Sequence, residues 1–204
     1  GNTTGMSVRW SKIDPQTHAL LGRRRRGPAA ETLTGPSVPE KTQIVRSRKA
    51  VVGIDLRLFD CSYTLIAERS SNAPVPENTA TLRSTVYVDR SSQSLHTQID
   101  LNAGAVLDDA WVIASPLSAL GRRVRQVGRG EFPTVTIEAD DQGNLAFQCA
   151  SREITAVEVM AALLRQIKSS LEKSDSDVLV DRSVFVVGDR FGPLKRMALE
   201  AAAA

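Results

Sequence analysis

The side chains able to do chemistry in this 204-residue sequence are thinly grouped. Two pairs of adjacent carboxylates, Asp108-Asp109 and Asp140-Asp141, are where a general acid and base would first be sought. Neighbours on a strand or turn point apart, so both pairs read as turn or cap residues and not as an acid/base couple. The hydroxyl-rich run Ser91–Ser94 has no GxSxG frame and no nearby base, and reads as a loop. Cys61 and Cys149 are far apart with no CxxC, the pattern of two buried free thiols rather than a disulfide. His18 and His96 have no clustered cysteine or carboxylate, so no metal site is expected. The run Arg23, Arg24, Arg25 and Arg26, with Arg46, Arg48 and Lys49, has the charge to contact nucleic acid or an anionic membrane surface. Only Trp10 supplies an aromatic there, so base stacking has no support, and composition favours a solvated tail.

Charge and breakers divide the chain. Residues 1–50 hold ten Lys/Arg against three Asp/Glu, a net +7, while the other 154 hold 16 against 20, a net −4. The overall +3 therefore comes from an N-terminal arm. Residues 1–42 carry Asp14-Pro15, Gly27-Pro28, Gly35-Pro36 and Pro39 and little periodicity. The expectation is a basic, disordered arm over 1–49, with Trp10, Ile13, Leu20 and Leu21 supplying one short anchoring turn. Gly1–Gly5 reads as an appended leader before Met6. An apolar share of 42% suffices for a core in residues 50–204. No apolar run approaches the ~18 residues that cross a bilayer, and no charged-then-apolar leader is present, so a cytoplasmic protein is expected.

Periodicity then places the elements. Ala50–Phe59 alternates, with Val52, Ile54, Leu56 and Leu58 on one face and Val51, Gly53, Asp55 and Arg57 on the other, which predicts a strand. Ser62–Ala67 is a second strand, paired with it as a hairpin. Leu82–Val88 alternates again, Leu95–Leu101 is read as another short strand, and Val106–Leu120 mixes loop and helix. Thr134–Glu138 and Leu145–Cys149 flank Asp140–Asn144, which has the chemistry of a hairpin turn. Ala156–Lys173 is the clearest helix: Thr155 and Glu158 form a capping-box pattern, and Val157, Met160, Leu164, Ile167 and Leu171 form one stripe. Asp177–Val187 holds a β-rich run, and Phe191–Ala204 returns to helix, with Pro193 in its first turn. Hairpin, small β-rich insert, helix, strand, helix is an α/β arrangement.

That order, with several short stretches, resembles the DnaK-type heat-shock chaperone family, whose ATPase domain has the actin-like fold. Val52–Leu56 (VGIDL) is similar to the family's opening GIDLGTT, and Asn78–Asp89 to the stretch ending its first loop. Leu120–Arg122 (LGR) is similar to its L-I-G-R. Ile154–Lys168 (ITAVEVMAALLRQIK) resembles its T-P-E-E-[IV] helix. Val184–Ala202 follows its next strand and helix without a gap, matching at Val184, Val187, Phe191, Arg196 and Ala198. The resemblance spans about Ala50 to Ala204. It implies the first lobe of an actin-like (ribonuclease H-like) ATPase domain with a small β-rich insertion.

The departures fall on the phosphate chemistry. Where the family has Gly-Thr-Thr, whose open backbone receives phosphates, this chain has Arg57, whose charge could turn toward a phosphate, and Leu58 and Phe59, which lack the hydroxyls and whose bulk crowds such a nest. Asp55 stands where the family's carboxylate holds the water shell of magnesium; a polar residue on an exposed strand face is the equal alternative. The family's catalytic lysine falls on Leu117, which cannot stabilise phosphate charge. Lys195, Arg122 and Arg123 read as a solvated face. The family's second phosphate loop and adenosine site lie beyond the matched region, so no cofactor is expected unless a second lobe completes the cleft for ATP and magnesium. The expectation is a degenerate domain that binds another protein or itself and does not hydrolyse ATP. The alternatives are an N-terminal piece of a longer ATP-binding chaperone-like protein, and an anion- or nucleic-acid-binding protein working through its arm.

Overall fold

The computed structural model describes residues 3–9, 48–67, 79–102, 104, 109–175, 177–188 and 191–204. They form a mixed α/β structure. Strands β2 (Arg48–Leu56), β3 (Asp60–Ala67) and β4 (Thr79–Arg83) make an antiparallel meander. After an insertion and helix α3 (Ala156–Ser174), strand β11 (Val178–Gly188) returns parallel to β2. Helix α4 (Pro193–Ala203) follows. The five-stranded sheet has the order β1-β11-β2-β3-β4. Its outer strand β1 (Thr3–Arg9) pairs antiparallel with β11, from Thr3 against Gly188 to Arg9 against Arg182.

That strand corrects the reading of the N-terminus. Residues 3–9, Gly5 among them, are part of the sheet and not of an unstructured arm. Isolated TTGMSVR has too few apolar residues to announce a strand, and its order comes from the free edge of β11. Met6 and Val8 turn inward against the core while Ser7 stays exposed. Arg23–Arg26, His18, Trp10, Ile13, Leu20 and Leu21 lie outside the described residues.

The insertion contains two three-stranded antiparallel sheets. One has the order β6-β5-β7, from β5 (Thr85–Asp89), β6 (Leu95–Thr97) and β7 (Ala110–Ala114). The other has the order β10-β9-β8, from β8 (Thr136–Ala139), β9 (Leu145–Cys149) and β10 (Arg152–Thr155). Leu82–Val88 is therefore not one strand: Ser84, 1% exposed, is a corner at which the chain leaves the main sheet for the first small one. Its N–H binds the carbonyl of Phe59 at 3.0 Å and its carbonyl accepts the N–H of Ser115 at 2.9 Å. Leu95–Leu101 likewise divides into β6 and a short helix α1 (Gln98–Asn102), started by Asp100 accepting the N–H of Thr97 at 2.6 Å. Within Val106–Leu120 the described part is β7 and the four-residue helix α2 (Pro116–Ala119).

Helix α3 unites the layers, touching β11, the small sheets and α4. Its capping box forms: the Thr155 hydroxyl accepts the Glu158 N–H at 3.2 Å, and the Glu158 carboxylate accepts the Thr155 N–H at 2.8 Å. Met160, Leu164, Ile167 and Leu171 are buried as their spacing predicts, joined by Val159 and Leu163, while Val157 is half-buried at the margin. At ~1.5–3 kcal/mol for each large aliphatic side chain, this stripe holds the helix far more strongly than its cap does. Cys61 and Cys149 are free and buried, and burial pushes the Cys61 thiol up to about 12. Among the described residues no helix is long and apolar enough to cross a membrane.

Candidate functional site

The β2–β3 connection carries Asp55, Arg57, Leu58 and Phe59, and the structure keeps the four together. The strand ends at Leu56 rather than Phe59, because Arg57 N–H bonds the Asp60 carbonyl at 3.0 Å and closes a tight turn. Leu58 is therefore not on the core face with Val52, Ile54 and Leu56; it is 48% exposed, and Phe59 is 68% exposed. The Arg57 guanidinium folds back onto Asp55, Nη2 to Oδ2 at 2.9 Å and Nε to Oδ2 at 3.0 Å. Each side chain thus occupies the other's charge.

Two distant segments pin this turn. The Ser84 N–H binds the Phe59 carbonyl, and the Ser115 hydroxyl donates to the Leu58 carbonyl across 57 residues of sequence. Ser115 takes a left-handed conformation (φ 56°) at the start of α2, and Pro116 supplies the first helical residue. Leu117, one residue further, is 7% exposed and belongs to the core cluster.

After α2 comes Gly121, with φ +64°. A Cβ on it would lie 2.7 Å from the carbonyl carbon of Leu194 and from the nitrogen of Lys195, so the first turn of α4 rests directly on this glycine. Arg122 leaves the same point and bonds Glu131, Nη1 to Oε2 at 2.6 Å, as well as the Gln126 carbonyl. Glu131 also accepts the Gly128 N–H at 2.8 Å. The bonds from Arg122 and then Gly128 hold its carboxyl below the ordinary value of 4.5. With side chains 22% and 38% exposed, this pair is worth at most ~1 kcal/mol but fixes the 122–131 loop. Half-buried Lys195 faces the same space, its Nζ 5.9 Å from the centroid of the Phe191 ring. Loss of water contact, then the Arg122 charge, lowers its pKa from 10.5.

These groups enclose a cleft of about 650 Å³ between Leu58, Ser118, Gly121, Arg122, Glu131 and Lys195. Lys195 and Arg122, read from sequence as a solvated face, in fact border the same cleft as Leu58, because α4 folds back onto Gly121. Arg123 is exposed, as expected. Leu117 does not line the cleft. The aliphatic wall, the Arg122–Glu131 ion pair and Lys195 suit binding, and among the described residues no nucleophile stands beside a base. Among the described residues no group of His, Cys, Asp and Glu is arranged to hold a metal ion. Ser84, Ser115 and Glu131 escaped the sequence reading. Ser115-Pro116 carried the one local signal, that of a helix start; the other contacts have no local signature.

The remaining sequence candidates fall elsewhere. Asp140 is a turn residue, accepting the N–H groups of Gln142 and Asn144 at 2.9 and 2.8 Å. Asp109 pairs with Arg90 at 3.3 Å, and Asp108 lies outside the described residues. The serine run closes on Asp89, whose carboxyl is held down to about 2 by bonds from Ser91 and Ser92. His96 meets the Ser94 hydroxyl at 3.1 Å. No family model matches this chain, and no curated protein matches it.

Proposed function

We propose that this chain is a degenerate first lobe of the actin-like, DnaK-type ATPase fold, which binds another protein and does not hydrolyse ATP. The observation that carries the reading is the β2–β3 turn. In the position of a phosphate-binding nest it turns Leu58 and Phe59 outward, and its Leu58 and Phe59 carbonyls are bound by Ser115 and Ser84. An apolar tip rigidly held from behind is a surface for a protein, not for triphosphate. Arg57 neutralises Asp55, the residue the resemblance links to magnesium. Leu117, at the catalytic-lysine position, is enclosed by apolar neighbours in which a charged amine would be costly. The lineage is supported by the topology: a three-stranded meander, an insertion, a helix, and a strand parallel to the first.

Calorimetric titration of the folded protein with magnesium-ATP and magnesium-ADP tests the reading. No binding heat is expected up to millimolar nucleotide, and the Leu117→Lys variant is expected to lose stability without gaining nucleotide. Micromolar binding by the wild type would overturn the proposal.

A further inference from the structure

The cleft beside the β2–β3 turn holds a positive charge that no carboxylate among the described residues answers. Its charged lining is Arg122, Glu131 and Lys195. Arg122 is committed. Its Nη1 donates to Glu131 Oε2 at 2.6 Å and to the Ser118 carbonyl at 3.4 Å, and its Nη2 to Glu131 Oε1 at 3.3 Å and to the Gln126 carbonyl. Glu131 is committed in turn, to Arg122 and to the Gly128 N–H. Lys195 takes part in no ion pair among the described residues, and its Nζ lies 5.9 Å from the centroid of the Phe191 ring.

The backbone fixes Lys195 in this place. Its nitrogen lies 2.7 Å from where a Cβ on Gly121 would stand, so α4 sets Lys195 beside the residue that precedes Arg122. Half-burial first, and then the Arg122 charge, disfavour the protonated amine. An anion beside Nζ relieves both costs. The three charged groups sum to one positive charge, which a monoanion balances. A phosphate or triphosphate would set surplus negative charge against the Glu131 carboxylate. The rest of the wall is apolar, from Leu58, Pro193 and Leu194. At about 650 Å³ the cleft falls in the ~300–1,000 Å³ range of ligand sites, which join apolar walls to a few placed polar groups.

We propose that this cleft binds a monocarboxylate carried on an apolar body, with Lys195 as the counter-charge and Leu58, Pro193 and Leu194 against the apolar part. A free organic acid and an acidic side chain of a partner protein share that chemistry. The inference rests on the reading above only in taking the cleft beside Leu58 as a binding surface.

Amide NMR titration of the full chain with hexanoate tests it. Saturable shifts at Gly121 and Lys195 are expected, with a Kd of roughly 1 mM for so small a ligand. The uncharged hexanamide is expected to bind at least ~10-fold more weakly, and Lys195→Met to weaken hexanoate binding ~10-fold. Lys195→Arg keeps the charge and should stay within ~3-fold of the wild type, while Leu58→Ser should cost ~3-fold through lost apolar contact. The Lys195 side chain makes no ion pair, so circular dichroism of its variants should be unchanged. Bound carboxylate favours the protonated amine, so the Lys195 pKa should rise back towards 10.5 on saturation. Arg122 stays charged throughout and Glu131 titrates below 4.5, so loss of binding at high pH reports on Lys195.

Hexanoate that gives no saturable shift at the cleft, or that binds no better than hexanamide, overturns the proposal. So does binding indifferent to Lys195→Met, or a Lys195→Arg variant no better than Lys195→Met. A capped Leu-Glu-Leu peptide that binds more tightly than hexanoate at the same amides assigns the carboxylate to a protein partner; the reverse order assigns it to a free acid. Magnesium-ATP titration reports separately: nucleotide binding would reject the pseudo-ATPase reading, and hexanoate binding that depends on Lys195 would still stand.

Discussion

The β8–β9 turn and the β2–β3 turn both reverse an antiparallel pair, and they do so with opposite chemistry. At Asp140–Asn144 the turn is self-sufficient. Asp140 gathers the N–H groups of Gln142 and Asn144, and Gly143 supplies the positive φ of 78°. Burial would raise the Asp140 carboxyl, but the bonds from Asn144, Gln142 and Gly143 outweigh it and hold it low. At Arg57–Phe59 the turn places apolar side chains in water and is held by Ser84 and Ser115 from elsewhere in the chain. A turn that satisfies itself reports only on folding. One that exposes Leu58 and Phe59 and is braced from outside reports on use, because exposed apolar area contributes nothing to the stability of the lone chain.

The contrast can be broken experimentally. The largest effect is expected at the platform behind the braced turn. Gly121→Ala forces a Cβ against α4 backbone in a left-handed conformation and should cost ~3 kcal/mol in urea unfolding, with α4 losing hydrogen-exchange protection first. A wild-type unfolding midpoint would show that α4 does not rest there. Ser115→Ala removes the hydroxyl from the Leu58 carbonyl and should cost ~1–2 kcal/mol. Asp140→Ala, in the self-sufficient turn, should cost ~1 kcal/mol, with exchange changes confined to β8 and β9. If Ser115→Ala also proved local, leaving amides of β2, β3 and β5 unaffected, the braced description would fail.

Two smaller effects sharpen the comparison. Glu131 is an acid held below its ordinary 4.5 by Arg122, so its contribution to stability is complete above that value and is lost as pH falls through its lower folded pKa. A carboxyl NMR titration should show the depressed midpoint, and Arg122→Met should return it towards 4.5. Phe59→Ser should change stability by less than ~0.5 kcal/mol, since the ring is 68% exposed. A large destabilisation would mean the ring is packed, and would remove the case for a binding tip.

Much of the scaffold was legible. Alternation marks β2 and β3, the three-to-four spacing of Met160, Leu164, Ile167 and Leu171 marks α3, and Asp140–Asn144 marks its hairpin. What escaped did so for identifiable reasons. Strand β1 has a weak pattern and gains order from the edge of β11. The Leu82–Val88 alternation runs on through Ser84, because period two reports which face a residue takes and not which sheet it joins. Strand β10 is only four residues long and merges with the start of α3. Of the candidate site, the tip residues were visible by resemblance, while Glu131, Ser84 and Ser115 were not.

The sequence by itself determined the elements that depend on neighbours three or four positions away: the helix stripe, its cap, the polar hairpin turn, and the absence of glycine and threonine after Asp55. Tertiary structure alone decided that Ser115 holds Leu58, that Gly121 seats α4, and that Arg122, Glu131 and Lys195 meet at one cleft. Such contacts join residues whose separation in sequence carries no period. They form only when α3 brings the insertion against the sheet and the chain returns along β11, fixing which side chains are left facing water.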